Sequence, residues 1–156
     1  MKVTIPQARL IEKRSDETDQ VRLVNQVRDT VLNKKGIYFG DVTTTDATAT
    51  SIWSDSLSAN QGVTLTLTVS GSDATGANVA SYQRKCAFQR TGTGAVTLLG
   101  AGADVIGVDK ESVAAWDAGF ATDSADSSKV AAYVQGAAST TIVWHAEITA
   151  IWSPFT

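Results

Sequence analysis

The chain has 156 residues, a mass of 16.4 kDa, a formal net charge of −3 and a single cysteine. That length suits one domain with a real hydrophobic core plus a small appendage, and a lone Cys86 excludes an internal disulfide scaffold. Residues 1–35 carry eight Lys/Arg against five Asp/Glu and residues 36–156 five against eleven, so the acidic bulk of the chain argues against a nucleic-acid partner.

No apolar run approaches the ~20 residues of a membrane span, and no basic start followed by an apolar stretch marks a signal peptide, so neither a membrane partner nor export is expected. Residues 2–11 read as an arm, because Pro6 opposes a helix starting before it. A short α-helix is predicted over residues 16–34. Ser15 serves as N-cap, Asp16, Glu17 and Asp19 complement the dipole, Lys34 and Lys35 close the other end, and Gly36 stops it. Val24, Val27 and Val31 form a short apolar stripe on that helix. A helix of this length is marginal alone, so the stripe is expected to pack in an oligomer, a trimer first, or to attach the chain to a partner.

The glycine-flanked patch of residues 36–40 reads as a hinge or as a strand added to a neighbour. Residues 41–51, DVTTTDATATS, read as a linker or an extended edge segment. The domain boundary is placed inside them. Residues 1–50 then form an arm, helix and linker for attachment or oligomerisation, and residues 51–156 form the β-domain.

From there the chain alternates short strands with turns. Residues 52–57 carry Trp53. Val63, Leu65, Leu67 and Val69 alternate with threonines and a serine, the pattern of a half-buried strand. Residues 79–99, VASYQRKCAFQRTGTGAVTLL, read as a hairpin with Ala80, Tyr82, Arg84, Cys86 and Phe88 on one face and a turn at Gly92-Thr93-Gly94. Cys86, in register with Tyr82 and Phe88, reads as a small core hydrophobe. Gly100-Ala101-Gly102 reads as another turn before a strand at residues 105–108. Residues 113–122 carry Trp116 and Phe120, residues 129–135 alternate, and residues 140–152 form the longest strand, with Trp144 and Trp152 on one side. About eight short strands imply antiparallel sheets in a mainly β domain, an antiparallel jelly-roll-like β-sandwich or a barrel, behind the N-terminal arm and short α-helix.

The hairpin elements Tyr82, Arg84, Phe88, Arg90, the turn 91–94 and Val96-Thr97-Leu98, followed by the Val143-Trp144 closing strand, resemble a β-module of tailed-bacteriophage virion proteins of the head-fibre, decoration and tail-fibre type. The resemblance covers residues 61–152. It implies a structural virion protein, assembled in the host cytoplasm, that attaches to other virion proteins through its N-terminal segment and displays its β-body. No cofactor is implied.

Catalytic chemistry is sparse. His145 and Glu147 share a strand face, but two ligands do not make a metal site, and a surface histidine bonded to a neighbour is the simpler reading. One histidine and one cysteine assemble no nucleophilic triad from sequence. The paired glycines lack the third glycine and helix of a nucleotide loop. The carboxylates at Asp104, Asp109 and Glu111, and at Asp117, Asp123 and Asp126, read as solvated turns rather than a glycosidase pair or a calcium loop. The chain is therefore not expected to be an enzyme. Tyr82, Arg84, Phe88 and Trp144 read as structural core, with Arg84 requiring an acidic partner. Trp53 and Trp116 read as surface aromatics, which makes a host-surface glycan a candidate partner and a lectin-like carbohydrate-binding module the alternative function.

Overall fold

The computed structural model describes residues 35–154, so the predicted helix with Val24, Val27 and Val31 lies outside the described residues. The described residues form nine strands: β1 Lys35–Thr44, β2 Thr50–Ser56, β3 Gln61–Asp73, β4 Val79–Arg90, β5 Thr97–Val105, β6 Lys110–Glu111, β7 Asp117–Thr122, β8 Lys129–Gln135 and β9 Ile142–Pro154. They make two antiparallel sheets. The larger has the order β1-β9-β3-β4-β5, with β6 beside β4, and the smaller has the order β2-β8-β7.

The sheets pack face to face because each long strand alternates. On β3, Val63, Leu65, Leu67 and Val69 are at most 3% exposed, while Thr64, Thr66 and Thr68 turn outward. β9 follows the same rule with Ile142, Trp144, Ile148 and Ala150 inward. Val130, Ala132 and Val134 of β8 complete a single core from the other sheet. The jelly-roll path remains part of the sequence expectation; the observed order keeps β3, β4 and β5 side by side as a meander, with β9 and β1 added on its far edge.

Two boundaries differ from the sequence reading. The β-body includes residues 35–44, which pair with β9 along their whole length, from Lys35 opposite Ile151 to Thr44 opposite Ile142. Of the readings open for this segment, hinge or added strand and linker or extended edge segment, the structure shows an edge strand as far as Thr44. Its exposure alternates residue by residue, as suits a strand with one face toward the core and one in water. Gly100 and Gly102 do not end a strand. They form a bulge inside β5, where Ala87 faces Leu99 but Lys85 faces Asp104, and their φ values of +87° and +149° explain why glycine stands there.

Candidate functional site

The inner face of the large sheet is framework. Trp144 is fully buried. Its Nε1–H donates to Thr44 Oγ1 at 2.9 Å, and its ring meets Trp116 edge-on at a centroid distance of 5.6 Å. Tyr82 is 1% exposed, and its hydroxyl donates to Glu111 Oε2 at 2.5 Å. Burial, and then the bond to Glu111, raises its pKa well above the ordinary tyrosine value. Arg84 is 6% exposed. Its guanidinium forks onto the two carboxylate oxygens of Asp109, reaches Asp117 at 3.4 Å, and lies 5.1 Å from the Tyr82 ring centre. The carboxylates hold its proton more tightly still, Asp109 foremost. Phe88 is 1% exposed, and burial with the nearby Asp104 charge pushes the Cys86 thiol up to about 12, which leaves it unreactive. Arg90 clasps the hairpin loop by donating to the carbonyls of Gly94 (2.8 Å) and Leu57 (2.7 Å).

The surface aromatics need correction. Trp116 is not exposed: it is 3% accessible and packs on Trp144. It precedes β7, and a turn closed by its own N–H to the Val113 carbonyl folds the ring inward over the sheet. The residues that form that turn, Val113-Ala114-Ala115-Trp116, carry no sequence sign of it. Trp53 is half-buried, its ring tilted against that of Tyr38 of β1 at a centroid distance of 5.2 Å.

The outer face of the large sheet is open. Register places Asp41, His145, Ser70 and Ser81 in one row across β1, β9, β3 and β4, and Phe39, Glu147, Thr68 and Gln83 in the next. The β1, β9 and β3 members of both rows, with Ser81, line a shallow depression of about 460 Å³. His145 Nδ1 lies 2.5 Å from Asp41 Oδ1, and both side chains are well exposed. Phe39 is 76% exposed, the highest value among the large apolar residues described.

Such a surface offers a phenyl face, two carboxylates, an imidazole and several hydroxyls on a rigid plane. That suits hydrogen bonding and stacking to a polar ligand. Asp41, His145 and Ser70 stand in line on it. The site is open to water. β9 and β3 are each paired on both sides, so their amides are committed to the ladder. Among the described residues no cluster of three or more His, Cys, Asp or Glu side chains is arranged to hold a metal. Sequence reading found His145 and Glu147 but missed Phe39, Asp41, Thr68, Ser70 and Ser81. The odd-numbered members of residues 35–41 do alternate in character with their neighbours, but only the β1–β9 pairing brings them beside His145.

No family model matches the sequence, and no curated protein matches it. Two solved structures share some of its geometry. One is the tailspike protein of Acinetobacter baumannii phage AM24 (TM-score 0.38, 8% identity, covering 76% of this chain and 26% of that one). The other is the tailspike protein gp49 of Acinetobacter baumannii bacteriophage Fri1, a capsular polysaccharide depolymerase (TM-score 0.31, 11% identity, 78% and 20%). The chain spans about a quarter or less of the length of either protein. At these TM-scores the likeness carries no argument about this chain.

Proposed function

We propose that this chain is a structural β-module of a tailed-phage virion that works by attachment and surface display, not by catalysis. The observation that carries the reading is the outer sheet face: a flat, hydroxyl-rich, water-open contact surface on a rigid sandwich, with its one Asp–His pair exposed. The sequence resemblance over residues 61–152 supplies the phage context. Of the residues that carry it, Tyr82, Arg84, Phe88, Val96 and Trp144 lie in the buried framework while Arg90 and Val143 are more exposed, which fits elements that build a shape rather than a chemical site. Attachment to other virion proteins falls, in this reading, to the residues before Lys35, with Val24, Val27 and Val31 as the contact stripe. A mass-spectrometric inventory of purified virions tests it: the chain is expected at a defined copy number, and its absence from the particle overturns the proposal.

A lectin-like reading is favoured by one observation, the exposed Phe39 ring beside Asp41, Glu147, Thr68 and Ser70. Sugars stack on aromatic faces while carboxylates and hydroxyls bind their hydroxyl groups. A host-surface glycan would then occupy the depression, with Phe39 in the role first given to Trp53 and Trp116. Loss of glycan or cell binding in Phe39→Ala, with the fold intact, supports this second reading; undiminished binding removes it.

A further inference from the structure

Open sheet edges invite pairing, and proteins normally blunt them with bulges, short strands or proline. Three edges of this sandwich carry such devices. β5 is broken by the Gly100–Gly102 bulge, β2 has a register shift between Ser51 and Trp53, and β7 has only six residues. β1 is different. It is ten residues long, contains no proline, keeps one register throughout, and among the described residues pairs with β9 alone. It also leaves Ile37 54% and Phe39 76% exposed on its outer face.

The residues of β1 match themselves when read backwards. In Lys35-Gly36-Ile37-Tyr38-Phe39-Gly40-Asp41, a two-fold axis at Tyr38 sets Lys35 opposite Asp41, Gly36 opposite Gly40 and Ile37 opposite Phe39, each pair occurring twice. Continuity of both sheet faces requires partners of equal parity. Among the neighbouring registers that satisfy this, an axis at Ile37 sets Lys35 against Phe39, an axis at Phe39 sets Ile37 against Asp41, and an axis at Gly40 sets Phe39 against Asp41. Only the axis at Tyr38 puts opposite charges together and apolar side chains together. Directly opposed pairs of those kinds are the ones that stabilise antiparallel strands.

We propose that β1 pairs antiparallel with β1 of a second copy of this chain, with Tyr38 at the two-fold axis. The pairing is isologous, so it closes on itself instead of propagating a fibre. It buries Ile37 and Phe39 against each other and joins the two large sheets into one. It also sets the two outer-face depressions on one continuous surface, so a repetitive ligand could engage both, although the pairing itself does not depend on what they bind.

The symmetry is distinct from the three-fold association expected of the valine stripe. Pairing at β1 gives an even number of copies whether or not the N-terminal residues also associate. The experiment is light scattering of the full-length chain, with Asp41→Lys, Lys35→Asp and the double exchange Lys35→Asp/Asp41→Lys alongside, each checked for fold by circular dichroism. An even multiple of 16.4 kDa is expected for the native chain. Each single reversal sets like charges opposite each other at two symmetric places, and should weaken self-association at least tenfold. The double exchange restores opposite charges and should recover it. Lys35 is exposed, so Lys35→Asp does not depend on the Asp41–His145 contact and reads the register by itself. A monomer or a trimer for the native chain, or single reversals that leave the association constant unchanged, overturns the proposal.

Discussion

Asp109→Ala should destabilise the fold more than removal of Arg84, the arginine it holds. The two partners are unequally buried: the Arg84 side chain is 7% exposed, that of Asp109 33% and that of Asp117 51%. Substituting Asp109 strands a guanidinium inside the sandwich with only the longer 3.4 Å contact to Asp117, and breaking a buried pair this way costs about 3–5 kcal/mol. Substituting Arg84 with Met keeps the aliphatic stem against the Tyr82 ring and leaves two carboxylates that water can reach. The loss is then mainly that of charged hydrogen bonds already shared with solvent, about 1–2 kcal/mol. Urea unfolding of Asp109→Ala and Arg84→Met, compared by midpoint at unchanged slope, checks the order. An Arg84→Met loss equal to or larger than that of Asp109→Ala would falsify the account, because it would mean that the acids and not the arginine carry the desolvation cost.

Other consequences are equally specific. Trp116 Nε1 is buried without a hydrogen-bond partner among the described residues whereas that of Trp144 donates to Thr44, so Trp144→Phe should lose more stability than Trp116→Phe, by about 1 kcal/mol or more in thermal or urea unfolding. Gly71→Ala should destabilise by about 1–3 kcal/mol or prevent folding, because a Cβ there would sit 2.4–2.5 Å from ring atoms of the fully buried Trp144. Asp73, which clasps the β3–β4 turn by accepting from Asn78 Nδ2 and from Thr75, is held at about 2 rather than the ordinary 3.8. A lowered carboxylate stabilises the turn above its unfolded value and loses that contribution as pH falls from about 4 through about 2. An NMR titration should therefore find a midpoint near 2, moving upward in Asn78→Ala. A chain begun at Lys35 should give a higher melting temperature than one begun at residue 47, because the latter lacks β1 and uncovers Trp53 and the β9 edge.

The strand pattern was legible because alternation is a local consequence of the pleat. Val63 to Val69, the Tyr82–Phe88 face and the Ile142–Trp152 face each declare their inner side without knowledge of any partner strand. The need of Arg84 for an acid was legible too, since a charge between core residues must be neutralised, but which acid was not. Asp109, Glu111 and Asp117 look in sequence like solvated turn residues, and only β6 and the start of β7 bring them to Tyr82 and Arg84. The same limit governs the outer face. Asp41 and His145 are 104 positions apart, and their contact is written in the β1–β9 register, not in either local sequence. Trp116 shows the converse: a turn of a few residues reverses a side chain's exposure, and hydrophobic period cannot detect a single ring folding back over a core. Sequence alone thus determined which face of each strand is buried, a matter of one residue and its neighbours. Tertiary structure decided which faces meet, that residues 35–44 belong to the β-body and which charges pair, because those depend on strand order, and strand order is set by the packing of the whole chain.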